Sequence, residues 1–189
     1  RKIQRVLLPT QLDVPNFEVA AQMISADSVG GDYYDVLQVN GRSWLTIGDV
    51  SGHGVSAGLV MMMVQTAVRS VLMASDAGAL RPSSLLGRVN AAIRSNLERI
   101  SENQYMTATV LELDGGKVVY SGLHQDILVY RKASQQVECI ETRGAWLGIV
   151  DDLAELLHDD SLELAAGDTM LLFTDGLTEL RQDGKMVGT

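Results

Sequence analysis

The chain has 189 residues, of which 46% are hydrophobic, 21% charged and only 5% aromatic, so one domain with a sizeable aliphatic, methionine-containing core is expected. The formal charge of −9 argues against a nucleic acid or an anionic membrane surface as the main partner, since both call for a cationic face. A single cysteine, Cys139, excludes an internal disulfide, predicts a reducing, cytoplasmic location, and is expected to be a packing residue rather than a nucleophile.

No apolar run is read as approaching the ~20 residues of a membrane span, so no membrane insertion of this domain is expected. No signal peptide is visible. The chain opens at Arg1 and closes at Gly188-Thr189 within a turn-like stretch, and is expected to be a piece of a longer protein. Residues 1–9 read as the end of a connector helix from an upstream regulatory module, stopped by Pro9. Residues 10–189 then form one domain.

Strands are predicted at Phe17–Ser25, Tyr33–Val39 and Ser43–Val50 from β-branched or alternating residues. Asn40-Gly41 between the last two is a hairpin signal, because both residues tolerate positive φ. That hairpin would bring Asp32, before one strand, beside Asp49, near the end of the other. A helix over Val55–Ala74 is apolar on nearly all sides, and Met61, Met62 and Met63 within it are read as packing residues. A second helix, Ser84–Ile100, carries Leu86, Val89, Ile93 and Leu97 at three- and four-residue spacing after Pro82-Ser83. Further strands follow at Thr107–Leu113, Val118–Ser121, Ile127–Arg131, Val137–Ile140, Leu162–Leu164 and Thr169–Phe173, separated by tight turns. Strands joined by such turns are antiparallel, and the inserted helix pair makes a layered α+β domain.

The chemistry concentrates in three acidic signatures: Gly30-Gly31-Asp32-Tyr33-Tyr34-Asp35, Gly48-Asp49-Val50-Ser51-Gly52-His53-Gly54, and Thr174-Asp175-Gly176 after the apolar run Met170–Phe173. Carboxylates without nearby histidine or cysteine at zinc-like spacing select Mg²⁺ or Mn²⁺. Two such ions could share an activated water and clamp a phosphoryl group, which requires a bridging carboxylate. Asp49, flanked by Gly48 and Gly52, is the best candidate, with the Val50 carbonyl aimed at the same metal. Each acid taken alone also fits an ordinary turn. Asp35 is either support for this cluster or simply solvated. Asp151-Asp152 and Asp159-Asp160 read as solvated faces. His53 either meets a phosphate or caps the following helix, and His124 reads as a structural turn residue. Gly52-His53-Gly54 is no P-loop, because Gly-Lys-Ser/Thr is missing, and Gly52, Gly54 and Gly58 do not have dinucleotide-fold spacing.

The three ordered motifs, with Gln4-Arg5-Val6-Leu7-Leu8-Pro9 ahead of them, resemble the PPM (type 2C) family of metal-dependent serine/threonine phosphatases, and in particular its SpoIIE-like bacterial branch. The resemblance covers nearly the whole chain. It implies an αββα sandwich of two antiparallel sheets flanked by helices. It also implies two Mn²⁺ or Mg²⁺ ions held by Asp32, Asp49, the Val50 carbonyl and Asp175, with catalysis resting on Asp32, Asp49 and Asp175. The implied reaction is hydrolysis of a phosphoserine or phosphothreonine by metal-activated water. The implied substrate is an anti-sigma-factor antagonist in bacterial stress signalling, under control of an upstream sensor or receiver domain in the same chain, and a homodimer is possible. Two departures stand out: the family's final helix and aspartate-bearing strand would lie past Thr189, and Ser121-Gly122-Leu123-His124 stands where the branch reads Asn-Ala-Gly-His. The competing expectation is a catalytically silent, partner-binding domain of the same fold. A further expectation is that the two helices relay signals from the connector to the metal site.

Overall fold

The computed structural model describes residues 8–9, 12–24, 30–76, 80–100, 104–179, 181–182 and 185–186. The connector helix expected over residues 1–9 falls largely outside them. The elements run β1 (Tyr33–Val39), β2 (Arg42–Val50), α1 (Val55–Ala74), α2 (Pro82–Ile100), β3 (Met106–Asp114), β4 (Lys117–Ser121), β5 (Ile127–Arg131), β6 (Gln136–Ile140), β7 (Asp160–Glu163), β8 (Thr169–Leu171), α3 (Asp175–Thr178), β9 (Arg181–Gln182) and β10 (Lys185–Met186). They form a five-stranded sheet of order β1-β2-β3-β4-β7, a three-stranded sheet β6-β5-β8 and the small ribbon β9-β10, every pairing antiparallel.

Side-chain alternation builds the layers, because successive residues of a strand face opposite sides. Trp44, Val50, Met106, Ala108 and Val110 face the helices, where Val60, Val64, Val68 and Leu72 of α1 and Leu86, Val89, Ile93 and Leu97 of α2 complete one core. Their neighbours Leu45, Leu111 and Leu113, with Val118 and Tyr120, face the other way and meet Ile127 and Val129 of β5 in a second core between the sheets. The central sheet is therefore apolar on both faces, and the layer order is helices, sheet, sheet. This is the α+β sandwich of two antiparallel sheets. Among the described residues no long helix covers the outer face of the second sheet, where Tyr130, Val137 and Leu171 are exposed.

Asn40 and Gly41 both take positive φ, 53° and 75°, and close the β1–β2 hairpin as expected. The resulting register pairs Tyr33 with Gly48, so Asp32 and Asp49 leave the hairpin at the same end. A half-buried ion pair fixes α1 against this hairpin: Arg69, itself partly exposed, donates from Nε and Nη2 to Asp35 at 2.8 and 3.0 Å, and Asp35 is fully buried. Tyr33 adds its hydroxyl to the same carboxylate at 3.4 Å, and burial pushes its pKa well up. Helix α2 starts at Pro82, where Asp159 accepts from both the Ser83 amide and hydroxyl at 2.8 Å and so satisfies a free helix-end donor.

Several sequence expectations need correction. The strand over Phe17–Ser25 is not formed over 18–24; Val14 and Phe17 make a single bridge, and the segment then docks Phe17 and Val19 on the second core without a ladder partner. The alternation was real, but it served docking rather than pairing. Cys139 is exposed rather than packed, because β6 turns it outward beside Leu128 while Ile140 turns in. Its thiol donates to Asp126 at 3.2 Å, and that bond keeps the proton on sulfur by raising the pKa. Asp159 caps α2 and Asp151 pairs with Arg94 at 3.1 Å, so these acids do more than solvate a face. Finally, α1 is by length and composition apolar enough to cross a membrane, with a mean hydropathy of 1.5. Its fully buried Val60, Val64 and Val68 account for that character as core packing.

Arg69→Ala would leave the Asp35 carboxylate buried without its cation. We expect a loss of about 3 kcal/mol in urea unfolding; a loss below about 1 kcal/mol would show that Asp35 does not depend on the pair.

Candidate active site

The same alternation that fills the cores aims one acid into the gap between the sheets. Leu45, Ile47 and Asp49 lie in one row on β2, opposite Leu111, Thr109 and Thr107 on β3, on the side that faces the second sheet. Val50, the next residue, points into the helix-side core and is completely buried. Asp49 therefore ends an apolar row at the sheet edge, half buried, with its backbone held by the β3 ladder. Asp32 reaches this edge from the loop before β1, where the Val50 amide donates to the Gly31 carbonyl at 3.3 Å. Asp175 reaches it from the other sheet, at the start of α3 just after β8.

The three carboxylates sense one another. Burial raises the Asp49 pKa to about 7, and the negative charges of Asp32 and Asp175 add to that. Asp32 is also raised, first by burial and then by Asp175, against a lowering hydrogen bond from the Thr174 side chain. This Thr174 contact ties the loop carrying Asp175 directly to Asp32. The hydroxyl makes no capping bond to α3.

Glycine at position 31 is a spatial requirement. A Cβ there would lie 2.6 Å from the Val50 carbonyl oxygen and 2.8 Å from Asp49 Oδ1, so the absent side chain leaves both oxygens open on one cradle. Among the described residues no three Asp, Glu, His or Cys side chains already converge as a ready cage. A hard divalent cation does not need one, since Mg²⁺ keeps several waters and is bound through one or two carboxylates plus other oxygens. An open pair of oxygens beside mutually repelling carboxylates fits such a cation.

Asp32, Asp49 and Asp175 thus lie near enough for their charges to act on one another, with the Val50 carbonyl oxygen beside Asp49 at the Gly31 cradle. Asp35 is not part of the group, being committed to Arg69 on the helix side. His53 is exposed on the β2–α1 loop, and Gly54, not His53, occupies the N-cap of α1, without a side-chain cap. Sequence reasoning missed Thr107, Thr174 and the placement of His124. His124 Nε2 donates to the Phe173 carbonyl at 3.1 Å, and Nδ1 lies 2.8 Å from the Thr107 hydroxyl, which lies 3.2 Å from the Asp49 carbonyl. Burial lowers the His124 pKa, with the Phe173 bond and the Asp175 charge acting in the opposite direction. The only advance signal was a histidine in a short turn between two strands.

Without a cation, the raised Asp49 pKa couples to stability. The folded protein holds this proton up to about pH 7, whereas an unfolded aspartate loses it near 3.8. Between those values the native state binds more protons, so stability falls as pH rises. We expect Asp49→Asn to raise the melting temperature of the chelator-treated protein at pH 8 and to have little effect at pH 4.5. An equal effect at both pH values would contradict the charge origin of the shift.

Comparison with known proteins places the family and the fold. Residues 40–189 match the family described as Stage II sporulation protein E (SpoIIE). The phosphoserine phosphatase RsbU of Bacillus subtilis is 28% identical over 183 residues, covering 96% of this chain and 52% of RsbU, so the chain spans about half that relative's length. The structure of the RsbU and RsbW domains of a Mycobacterium tuberculosis protein superposes with a TM-score of 0.65 at 29% identity, over 82% of this chain and 42% of that one. The SiaA-PP2C domain of Pseudomonas aeruginosa gives a TM-score of 0.70 at 24% identity, over 86% of this chain and 63% of the other, and shows the shared fold. With most of its length matched and its two-sheet sandwich shared with PP2C domains, the chain belongs to the SpoIIE family and has the PPM-type phosphatase fold.

Proposed function

We propose that this domain is a divalent-metal-dependent protein serine/threonine phosphatase. The observation that carries the proposal is the meeting of Asp32 and Asp49 from one sheet with Asp175 from the other, beside the open Gly31 cradle. In this reading Asp49, Asp32, the Val50 carbonyl and Asp175 would hold two Mn²⁺ or Mg²⁺ ions. When bound, such ions supply a water acidic enough to attack phosphorus and positive charge for the phosphoryl oxygens.

The chain's own residues prepare that site. Burial and like charge leave Asp49 easily protonated near neutrality, so its negative charge is expressed in full only where a cation offsets it. The Thr174 side chain bonds to Asp32 and orients it. The β3 ladder fixes the backbone at Asp49 and Val50, including the carbonyl that the cradle leaves open. Hydrolysis then releases a serine or threonine hydroxyl and inorganic phosphate, with no phosphorylated enzyme, because no side-chain nucleophile is required.

The relatives suggest the setting. RsbU is a phosphoserine phosphatase, and one structural neighbour joins an RsbU domain to an RsbW domain. We take the substrate here to be a phosphorylated anti-sigma-factor antagonist, in the cytoplasm, with turnover governed by an upstream sensor or receiver domain and a homodimer as the working assembly. The rival reading, a catalytically silent partner-binding domain, draws on the lack of a ready three-residue cage among the described residues.

Mn²⁺-dependent release of phosphate from a phosphoserine protein separates the two. Asp49→Ala and Asp175→Asn should each reduce turnover by more than the roughly 10–100-fold that loss of an outer-shell partner costs. Unchanged turnover in either variant would refute the assignment, and no turnover by the unmutated full-length protein would favour the silent domain.

A further inference from the structure

We infer that His124 is a positioning residue that sets the spacing between the Asp49 side and the Asp175 side of the site. This rests on the phosphatase reading above, in which those two acids serve one metal centre. They belong to different sheets, so no backbone ladder fixes the distance between them. The His124 ring spans that gap: Nε2 reaches the Phe173 carbonyl, two residues before Asp175, and Nδ1 reaches Thr107, whose hydroxyl lies against the Asp49 carbonyl.

The hydrogen-bond roles follow from the partners. A carbonyl only accepts, so Nε2 carries the proton and donates to Phe173. Burial favours the neutral ring, in which Nδ1 accepts the one proton of the Thr107 hydroxyl; that hydroxyl then packs 3.2 Å from the Asp49 carbonyl without donating to it, and Thr107 is tied to Asp49 by their pairing in the β2–β3 ladder. One rigid five-membered ring thus joins β3 to the exit of β8, with both nitrogens used.

The ring is itself firmly held. The His124 amide donates to Thr142 Oγ1 at 3.1 Å, and that hydroxyl donates back to the His124 carbonyl at 2.9 Å. The Ala108 amide donates to the Leu123 carbonyl at 3.1 Å. Thr142 is buried, so this anchor is not a surface contact. A turn residue that only connected β4 to β5 would need neither nitrogen bonded across to another sheet. The Thr174–Asp32 bond ties the same two sides, so His124 does not join them alone.

The test is calorimetric titration of Mn²⁺ into the full-length protein, with melting of the chelator-treated protein measured alongside. His124→Ala is expected to weaken metal binding about 10–100-fold, as the loss of an outer-shell partner does. His124→Gln, whose side-chain amide nitrogen can donate to the Phe173 carbonyl, is expected to recover most of the affinity. Unaltered affinity in His124→Ala, or a His124→Gln protein as weak as the alanine variant, would overturn the positioning role. Should His124→Ala fail to fold, Thr107→Val decides: it keeps the ring and removes its Nδ1 partner, and metal binding as tight as in the unmutated protein would overturn the inference. Absence of metal uptake by the unmutated protein would refute the phosphatase reading and this inference with it, whereas uptake unaffected by His124→Ala refutes this inference alone.

Discussion

Like charges do not gather without a scaffold to hold them. Burial first, and mutual repulsion added to it, raise the pKa values of Asp32 and Asp49, yet the fold holds them with Asp175 at a shared edge of its two sheets. Much of the surrounding structure can be understood as what keeps them there. The β1–β2 hairpin fixes Asp32 beside Asp49, and the apolar row Leu45–Ile47 points Asp49 into the gap between the sheets. The second core brings β8, and hence Asp175, to the same gap. Thr174 and His124 then bridge the two sides with hydrogen bonds. A cluster that is electrostatically costly when empty is one that a divalent cation stabilises, and this links the energetics of the fold to its chemistry.

The helices take part at one remove. Helix α1 leaves the site loop directly after Gly54 and is locked to β1 by the Arg69–Asp35 pair three residues past Asp32. Its C-terminal end is fastened to the hairpin turn, where Asn40 donates to the Ser75 carbonyl at 3.0 Å. Both ends of α1 are therefore tied to the hairpin that carries the two acids. A stacked pair, Tyr105 and Trp146 with ring centres 4.4 Å apart, lies on the other side of the site loop, where Ser51 and Tyr105 exchange hydrogen bonds. The end of β2 with Asp49 and Val50, and the loop that follows it, are thereby held from helix, strand and aromatic sides at once.

Much of this was legible in the chain. Asn40-Gly41 announced the hairpin and its register because few residue pairs accept two positive φ values. Helix α1 was legible as a long segment apolar on nearly all sides, the hairpin anticipated the nearness of Asp32 and Asp49, and the resemblance of the three ordered motifs to one family added Asp175. What stayed hidden were the contacts that depend on tertiary placement. Phe17 and Val19 alternate as a strand would, but alternation cannot say whether an edge is free to pair. Cys139 sits in a correctly placed strand, yet which face is outward depends on the second sheet's neighbours. Asp35, Thr107, Thr174 and His124 acquire their roles from partners 34, 58, 142 and 49 residues away, and nothing local distinguishes them.

The proposed function stands or falls on whether a divalent cation binds at the Gly31 cradle, between Asp49 and the Val50 carbonyl. A crystal structure of the Mn²⁺-loaded protein, with the metal located by its anomalous scattering, tests this most directly. The expected result is an anomalous peak within coordination distance of both an Asp49 carboxylate oxygen and the Val50 carbonyl oxygen. Manganese bound elsewhere, with that cradle filled by side chains or water alone, would contradict it.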